Sequence, residues 1–221
     1  MNFHGSTRIQ KITNKWGFYP PHYWEAVDFM IISDKENEYL KEEYRQIHSR
    51  KDVGMMIGEQ IMYWVWNVQD LSYEHKGVIL QDFGCGKAWP YKNRHIHRLW
   101  NVDKVLLHDF GIPEYEKKPE VGEFNAIVSC DVLEHIPEEE IDATLEYWYS
   151  NPNMKFVFAT IAGYPARATL SDGRNAHVTI KPKEWWIEKV RKYANCKTEL
   201  IYFPEIGKQY KAQRIIVENN S

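Results

Sequence analysis

Four residues in the second half of the chain combine types that do chemistry together. The segment "CDVLEHIPEEE" sets Asp131, Glu134 and His135 at i, i+3 and i+4. A helix beginning there would put all three side chains on one face. His177 follows in "SDGRNAHVTIKP". Carboxylates and imidazoles gathered in one place bind Mg²⁺, Mn²⁺ or Zn²⁺, so Asp131, Glu134, His135 and His177 form a candidate metal group. Without a metal, a histidine can take the proton of a hydroxyl near neutral pH. His177 and His135 are therefore the candidate catalytic residues. A purely structural His177 is the plain alternative.

A second set lies upstream, in "LQDFGCGKAWP". Gly84 and Gly86 lack Cβ atoms, so the backbone there can turn sharply and a ligand can come close. A helix after such a loop aims its N-terminal amides at the crevice above the strand ends. Asp82 can hold the loop or reach a cationic ligand group. Ala88 stands where a third glycine would complete a dinucleotide fingerprint. A nucleoside bound here needs an acid after the next strand to accept its ribose hydroxyls, roughly 20 positions on. Asp103 precedes that strand and reads as a solvated loop residue. Asp109 ends it, on the side that faces the crevice, and is the preferred ribose ligand.

The elements that must position these groups can be read from periodicity. Short apolar runs mark strands at Val78 to Phe83, Lys104 to His108, Asn125 to Cys130 and Met154 to Thr160. Helices are expected over Tyr91 to Trp100, Glu138 to Tyr149 and Pro182 to Tyr193, the last opening with proline at a first helical position. "TELIYF" and "QRIIVE" close the chain as an antiparallel pair on one edge of the sheet. Strands interleaved with helices predict a parallel sheet covered on both faces. Residues 1–75 read as an N-terminal helical and aromatic extension, and 76–221 as the α/β domain. Within the extension, Asn37 to Ser49 has helical propensity. Val53 to Leu71 has the spacing of an amphipathic helix, and Met55, Met56 and Met62 read as core. Trp16, Phe18, Tyr19, Tyr23 and Trp24 are either a lid over a small substrate or packing for the helices.

Composition bounds the reading. The chain has 221 residues, a net charge of −3 and 43% hydrophobic residues. That suffices for a real core and gives no overall steering toward nucleic acid. Three widely spaced cysteines make no disulfide framework. No apolar run of ~18 residues is present to span a membrane, and the expected setting is cytoplasmic.

Taken in order, "DFGCGKA" and "FNAIVSCDVLEHIP" resemble the glycine motif and the later strand-end motif of class I S-adenosylmethionine-dependent methyltransferases. The resemblance covers roughly Gly77 to Val217. It implies a Rossmann-like, mostly parallel sheet of seven strands with an antiparallel final hairpin. It also implies a cofactor set: Asp82, Phe83, Gly84, Gly86 and Lys87 at the methionine end, Asp109 and Phe110 at the ribose. Asp131, Val132 and Leu133 would then lie beneath the sulfonium. The set Asp131, Glu134, His135 and His177 is similar to that of metal-dependent O-methyltransferases of the ubiquinone pathway and of small-RNA 3′ ends, where the first residue is usually glutamate. "LEH" also occurs in metal-free members, as a helix cap. The chain departs from the family between Phe110 and Phe124, where "GIPEYEKKPEVGEF" is too short and too rich in proline and glycine for a helix and a further strand. The expectation is a sheet short of one strand and one helix. The functional expectation is O- or N-methylation of a small polar metabolite. The alternatives are metal-assisted 2′-O-methylation of RNA, an NAD(P)-dependent oxidoreductase, and a binding domain without turnover.

Overall fold

The computed structural model describes residues 23–49, 57–206 and 211–218, with only the helical backbone described for 23–34. Six strands form one sheet in the order β2-β1-β3-β4-β5-β6. They are β1 (Ile79–Phe83), β2 (Lys104–His108), β3 (Ala126–Cys130), β4 (Phe156–Ala162), β5 (Lys197–Phe203) and β6 (Gln213–Val217). The first five are parallel and β6 runs antiparallel to β5 at the edge. The expected α/β class and terminal hairpin are therefore present. The sheet has six strands among the described residues, the shortened form rather than seven.

Period-two alternation sends each strand's side chains to two different cores. On one face, Leu80, Val128, Phe156 and Phe158 pack with Val65, Val68 and Leu71 of helix α2 (Val65–Tyr73) and with Tyr91 of α3 (Trp89–Arg94). On the other, Ile127, Val157 and Leu200 pack with Leu145 and Trp148 of α4 (Glu138–Tyr149). Trp186 and Val190 of α5 (Lys183–Tyr193) complete that layer. Strands β1, β3 and β4 are buried on both faces, as expected of a parallel sheet.

Three helices differ from the sequence expectation. The helix expected over Asn37 to Ser49 runs over Tyr23–Ser49. The helix predicted over Tyr91 to Trp100 ends at Arg94. His95 takes a left-handed conformation (φ 52°), and a 3₁₀ turn follows over Ile96–Leu99. No glycine marks that break. The helix predicted over Val53 to Leu71 begins as a 3₁₀ turn at Glu59, after a left-handed Gly58 (φ 78°). A Cβ on Gly58 would lie 2.2 Å from the Cys85 carbonyl oxygen, so the segment presses directly on the glycine loop. Met62 is exposed rather than core, while Met55 and Met56 lie outside the described residues. So do Trp16, Phe18 and Tyr19 and the side chains of Tyr23 and Trp24.

The link from β2 to β3 holds a single 3₁₀ turn, Pro113–Tyr115, and no α-helix. Chain direction reverses across the sheet here. From β1 the chain goes outward to β2, then crosses back to β3 on β1's other side. That makes the β1/β3 boundary the topological switch point, where ligands of open α/β sheets bind. Helix α1 (Tyr23–Ser49) lies across that end. Leu40, Tyr44 and Ile47 bury themselves against Leu170 and Ala176 of the loop after β4. Arg45 and Lys41 pair with Glu116, and Glu36 pairs with Arg174.

Candidate functional site

A cavity of about 350 Å³ opens above the switch point. Its floor is the ends of β1, β2 and β3, its roof is α1, and its sides are the Ile57–Gln60 segment and the loop after β4.

The β1 side is built from backbone. Gly84 and Gly86 both hold positive φ, 90° and 56°. The amides of Gly84 and Cys85 donate to the His108 carbonyl, 2.8 and 3.0 Å, which ties the loop to the end of β2. Asp109 supplies the second tie. Its Oδ2 accepts from Gly86 N (2.8 Å) and its Oδ1 from Gly111 N (2.9 Å). Each carboxylate oxygen has two lone pairs, so both retain acceptor capacity toward the cavity. Asp103, by contrast, is exposed, and its amide bonds Val78 at the far end of the sheet.

Ala88 does what a third glycine would do. It stands at φ 54° as the residue before α3, and it is fully buried. The position governs how the helix packs and does not line the cavity.

Asp82 lies beneath the loop rather than in the cavity. Burial pushes its carboxyl up to about 7, against the pull of the neighbouring Tyr91 hydroxyl. Phe83 faces the opposite core, against His108 and Trp148. Lys87 is exposed and Leu133 is fully buried in the same core as Phe83; neither lines the cavity. Phe110 does line it, edge-on to Tyr44 with ring centroids 5.3 Å apart. Val132 packs over Gly84, whose Cβ would lie 2.2 Å from its Cγ2.

The β3 side is built from side chains. Asp131 sits at φ 56°, a left-handed conformation that aspartate tolerates better than most residues. Thr160 holds it there. Asp131 N donates to Thr160 Oγ1 (3.0 Å), and that hydroxyl donates to Asp131 Oδ1 (2.8 Å). Leu133–His135 form a 3₁₀ turn rather than the start of a helix, so Asp131, Glu134 and His135 do not share one face. Glu134 is fully buried and turned away. Its Oε1 accepts from Ala162 N (2.9 Å) and its Oε2 meets no hydrogen-bond partner among the described residues. Burial, reinforced by Asp131, lifts its carboxyl well above the usual range. Its main-chain carbonyl accepts from Thr179 N (3.0 Å), so the residue staples β4 to the loop before α5.

His135 and His177 meet edge to face, with ring centroids 4.6 Å apart. His177 Nδ1 lies 2.6 Å from the Tyr164 carbonyl, and His135 Nδ1 lies 2.9 Å from the Ala176 carbonyl. A carbonyl only accepts, so both Nδ1 atoms carry the proton and both Nε2 atoms are left as acceptors. Tyr44 of α1 locks His135 further. Its hydroxyl lies 2.9 Å from His135 Nδ1 and donates to Ala176 O (2.7 Å). Burial, aided by His177, pushes His135 down to about 3. Burial also lowers His177, but Asp131 and the Tyr164 carbonyl oppose that shift. Among the described residues, no three histidine, cysteine, aspartate or glutamate side chains converge as a metal-holding group.

No family model, curated protein or solved structure matches this chain. The site's own geometry therefore carries the functional argument.

Of the residues expected from sequence, Gly84, Gly86, Asp109, Phe110, Asp131, Val132, His135 and His177 come together around the cavity. Asp82, Phe83, Lys87, Leu133 and Glu134 support it from behind or stand outside. Sequence reasoning missed Tyr44 and His48, which reach in from α1, and Tyr164 and Arg167 on the loop after β4. A signal existed for the first pair. Leu40, Tyr44, Ile47 and His48 recur at helical spacing on an otherwise polar segment.

Proposed function

We propose that the chain is an S-adenosylmethionine-dependent methyltransferase acting on an oxygen or nitrogen of a small polar acceptor. The observation that carries this reading is the cavity's position. It lies at the switch point, with a two-glycine loop on one side, a strand-end carboxylate on the next and two neutral imidazoles opposite. The glycine loop and Asp109 suit a nucleoside. The histidine side suits a hydroxyl or amine that must lose a proton as it is methylated. Methyl transfer from a sulfonium is an in-line displacement, so holding donor and acceptor in register supplies most of the rate. Burial lowers both histidines, but the Tyr164 carbonyl and Asp131 oppose it at His177, which makes His177 a better base than His135 at about 3. His135 instead accepts a hydrogen bond at Nε2 and fixes the acceptor. A roofed cavity of about 350 Å³ favours a metabolite over a nucleic-acid strand.

The test is calorimetry with S-adenosylhomocysteine, followed by labelled cofactor offered to metabolite and RNA pools. Label entering a small metabolite supports the reading, and label entering RNA 3′ ends moves it to the RNA class. Running both with Mg²⁺, Mn²⁺ and EDTA asks whether His135, His177 and Asp131 work with a metal. A response that His177→Ala abolishes would say that they do.

One observation favours a second reading, a domain that binds without turnover. Burial lowers both His135 and His177, which weakens them as bases while leaving the glycine loop and Asp109 in place. Cofactor binding with no transfer to any pool would support it.

A further inference from the structure

His48 is the one histidine of the cavity contributed by α1. It is 9% exposed, and no described residue hydrogen-bonds its Nδ1. A buried ring nitrogen left unmatched among the described residues is uncommon, because such an atom carries a desolvation cost. Its Nε2 lies 3.8 Å from Asp109 Oδ1. That is too far for a direct hydrogen bond and close enough for one oxygen beside the gap to reach both atoms at about 2.8 Å.

The tautomer follows from the surroundings. An Nε2–H facing a carboxylate is favourable, and it leaves Nδ1 as an unmet acceptor, which proteins tolerate better than an unmet donor. Burial lowers His48 toward the neutral form, opposed by Asp109 and helped by Lys87. Gly111 shapes the approach. A Cβ there would lie 3.0 Å from His48 Cδ2, so its absence lets the ring settle against the turn after β2.

We infer that His48 and Asp109 form a hydroxyl-binding pair, in which a ligand hydroxyl accepts from His48 Nε2–H and donates to Asp109 Oδ1. A vicinal diol suits the pair best, because its second hydroxyl can reach the other Asp109 oxygen. The N-terminal helix would then be part of the binding site and not only a cover. This inference rests on the nucleoside reading above, and it adds a ligand contact on a segment outside the two sequence motifs.

The experiment is a cycle between side chain and ligand. Wild type, His48→Leu and His48→Gln are titrated with S-adenosylhomocysteine and with its 2′,3′-dideoxy analogue. Thermal denaturation confirms that each variant is folded. Wild type should lose about 100-fold in affinity for the dideoxy compound, the loss expected for hydrogen bonds to a charged group. His48→Leu should bind S-adenosylhomocysteine about tenfold more weakly and lose correspondingly less on removal of the hydroxyls. His48→Gln, which keeps an N–H near the Nε2 position, should recover part of that loss. Equal penalties for the dideoxy compound in wild type and His48→Leu would overturn the inference and leave the cofactor reading standing. Failure of folded wild type to bind S-adenosylhomocysteine at all would overturn both.

Discussion

Above β1 and β2 the cavity wall is main chain, two glycines at positive φ clamped by one carboxylate. Above β3 and β4 the wall is side chain, with His135 and His177 held by backbone carbonyls and by Tyr44 of a distant helix. The first half is held by buried hydrogen bonds between the ends of two adjacent strands. The second is assembled from three separate segments and depends on α1 being docked. This contrast separates binding from chemistry: the backbone half would hold the donor, and the side-chain half would handle the acceptor and its proton.

The largest test of that division is His177→Ala. Turnover should fall by 10²- to 10⁴-fold, the usual worth of a general base, while affinity for S-adenosylhomocysteine stays within about twofold. A matching loss of cofactor affinity would show that the halves are not separate.

Asp109→Ala should do the reverse. It strands the buried amides of Gly86 and Gly111, at about 1–3 kcal/mol each, and it removes the proposed ribose acceptor. Stability should drop by about 2–6 kcal/mol in denaturant titrations, and cofactor binding should be lost. Unchanged binding in Asp109→Ala together with lost binding in Asp103→Ala would move the nucleoside to another place.

A smaller effect should come from Asp82, beneath the glycine loop. Its folded value of about 7 lies above the unfolded carboxylate value of about 3.9. Below about pH 4 both states are protonated. Between about pH 4 and 7 the unfolded chain ionises and the folded one does not, so stability falls as pH rises through that window. Asp82→Asn removes this dependence. Denaturant titrations at pH 5 and pH 8 should show the variant gaining on wild type at the higher pH. A constant difference would mean that Asp82 is already ionised in the fold.

The smallest effect is expected at Ala88. Glycine would relieve a left-handed alanine, worth about 1–2 kcal/mol, and would lose a buried methyl, worth about 0.8 kcal/mol. Glycine's freer unfolded chain offsets part of any gain. Ala88→Gly should melt close to wild type. A large loss would say that the methyl packs more tightly than its conformation costs.

These two halves were not equally legible in the sequence. Gly84, Gly86, Asp109, Asp131 and His135 could be read because each follows a short apolar strand, and a parallel sheet sends all those strand ends to one side. The missing strand was legible as well, since Phe110 to Phe124 has no room for a helix. Tyr44 was legible only as an inward-facing helix position, because its contact with His135 spans 91 residues and helical spacing does not say what that face meets. Glu134 was misplaced in the expectation because its position depends on a 3₁₀ turn where a helix was assumed. The break at His95 escaped for a related reason, since the left-handed residue there is not a glycine. Local rules placed the elements, and tertiary contacts decided which face of each turn met the cavity.

The most direct measurement is a calorimetric titration of folded wild-type protein with S-adenosylhomocysteine. Saturable binding at one site, in the micromolar range, is the predicted result. No heat at millimolar ligand, with circular dichroism showing an intact α/β fold, would contradict the assignment of this cavity to the cofactor.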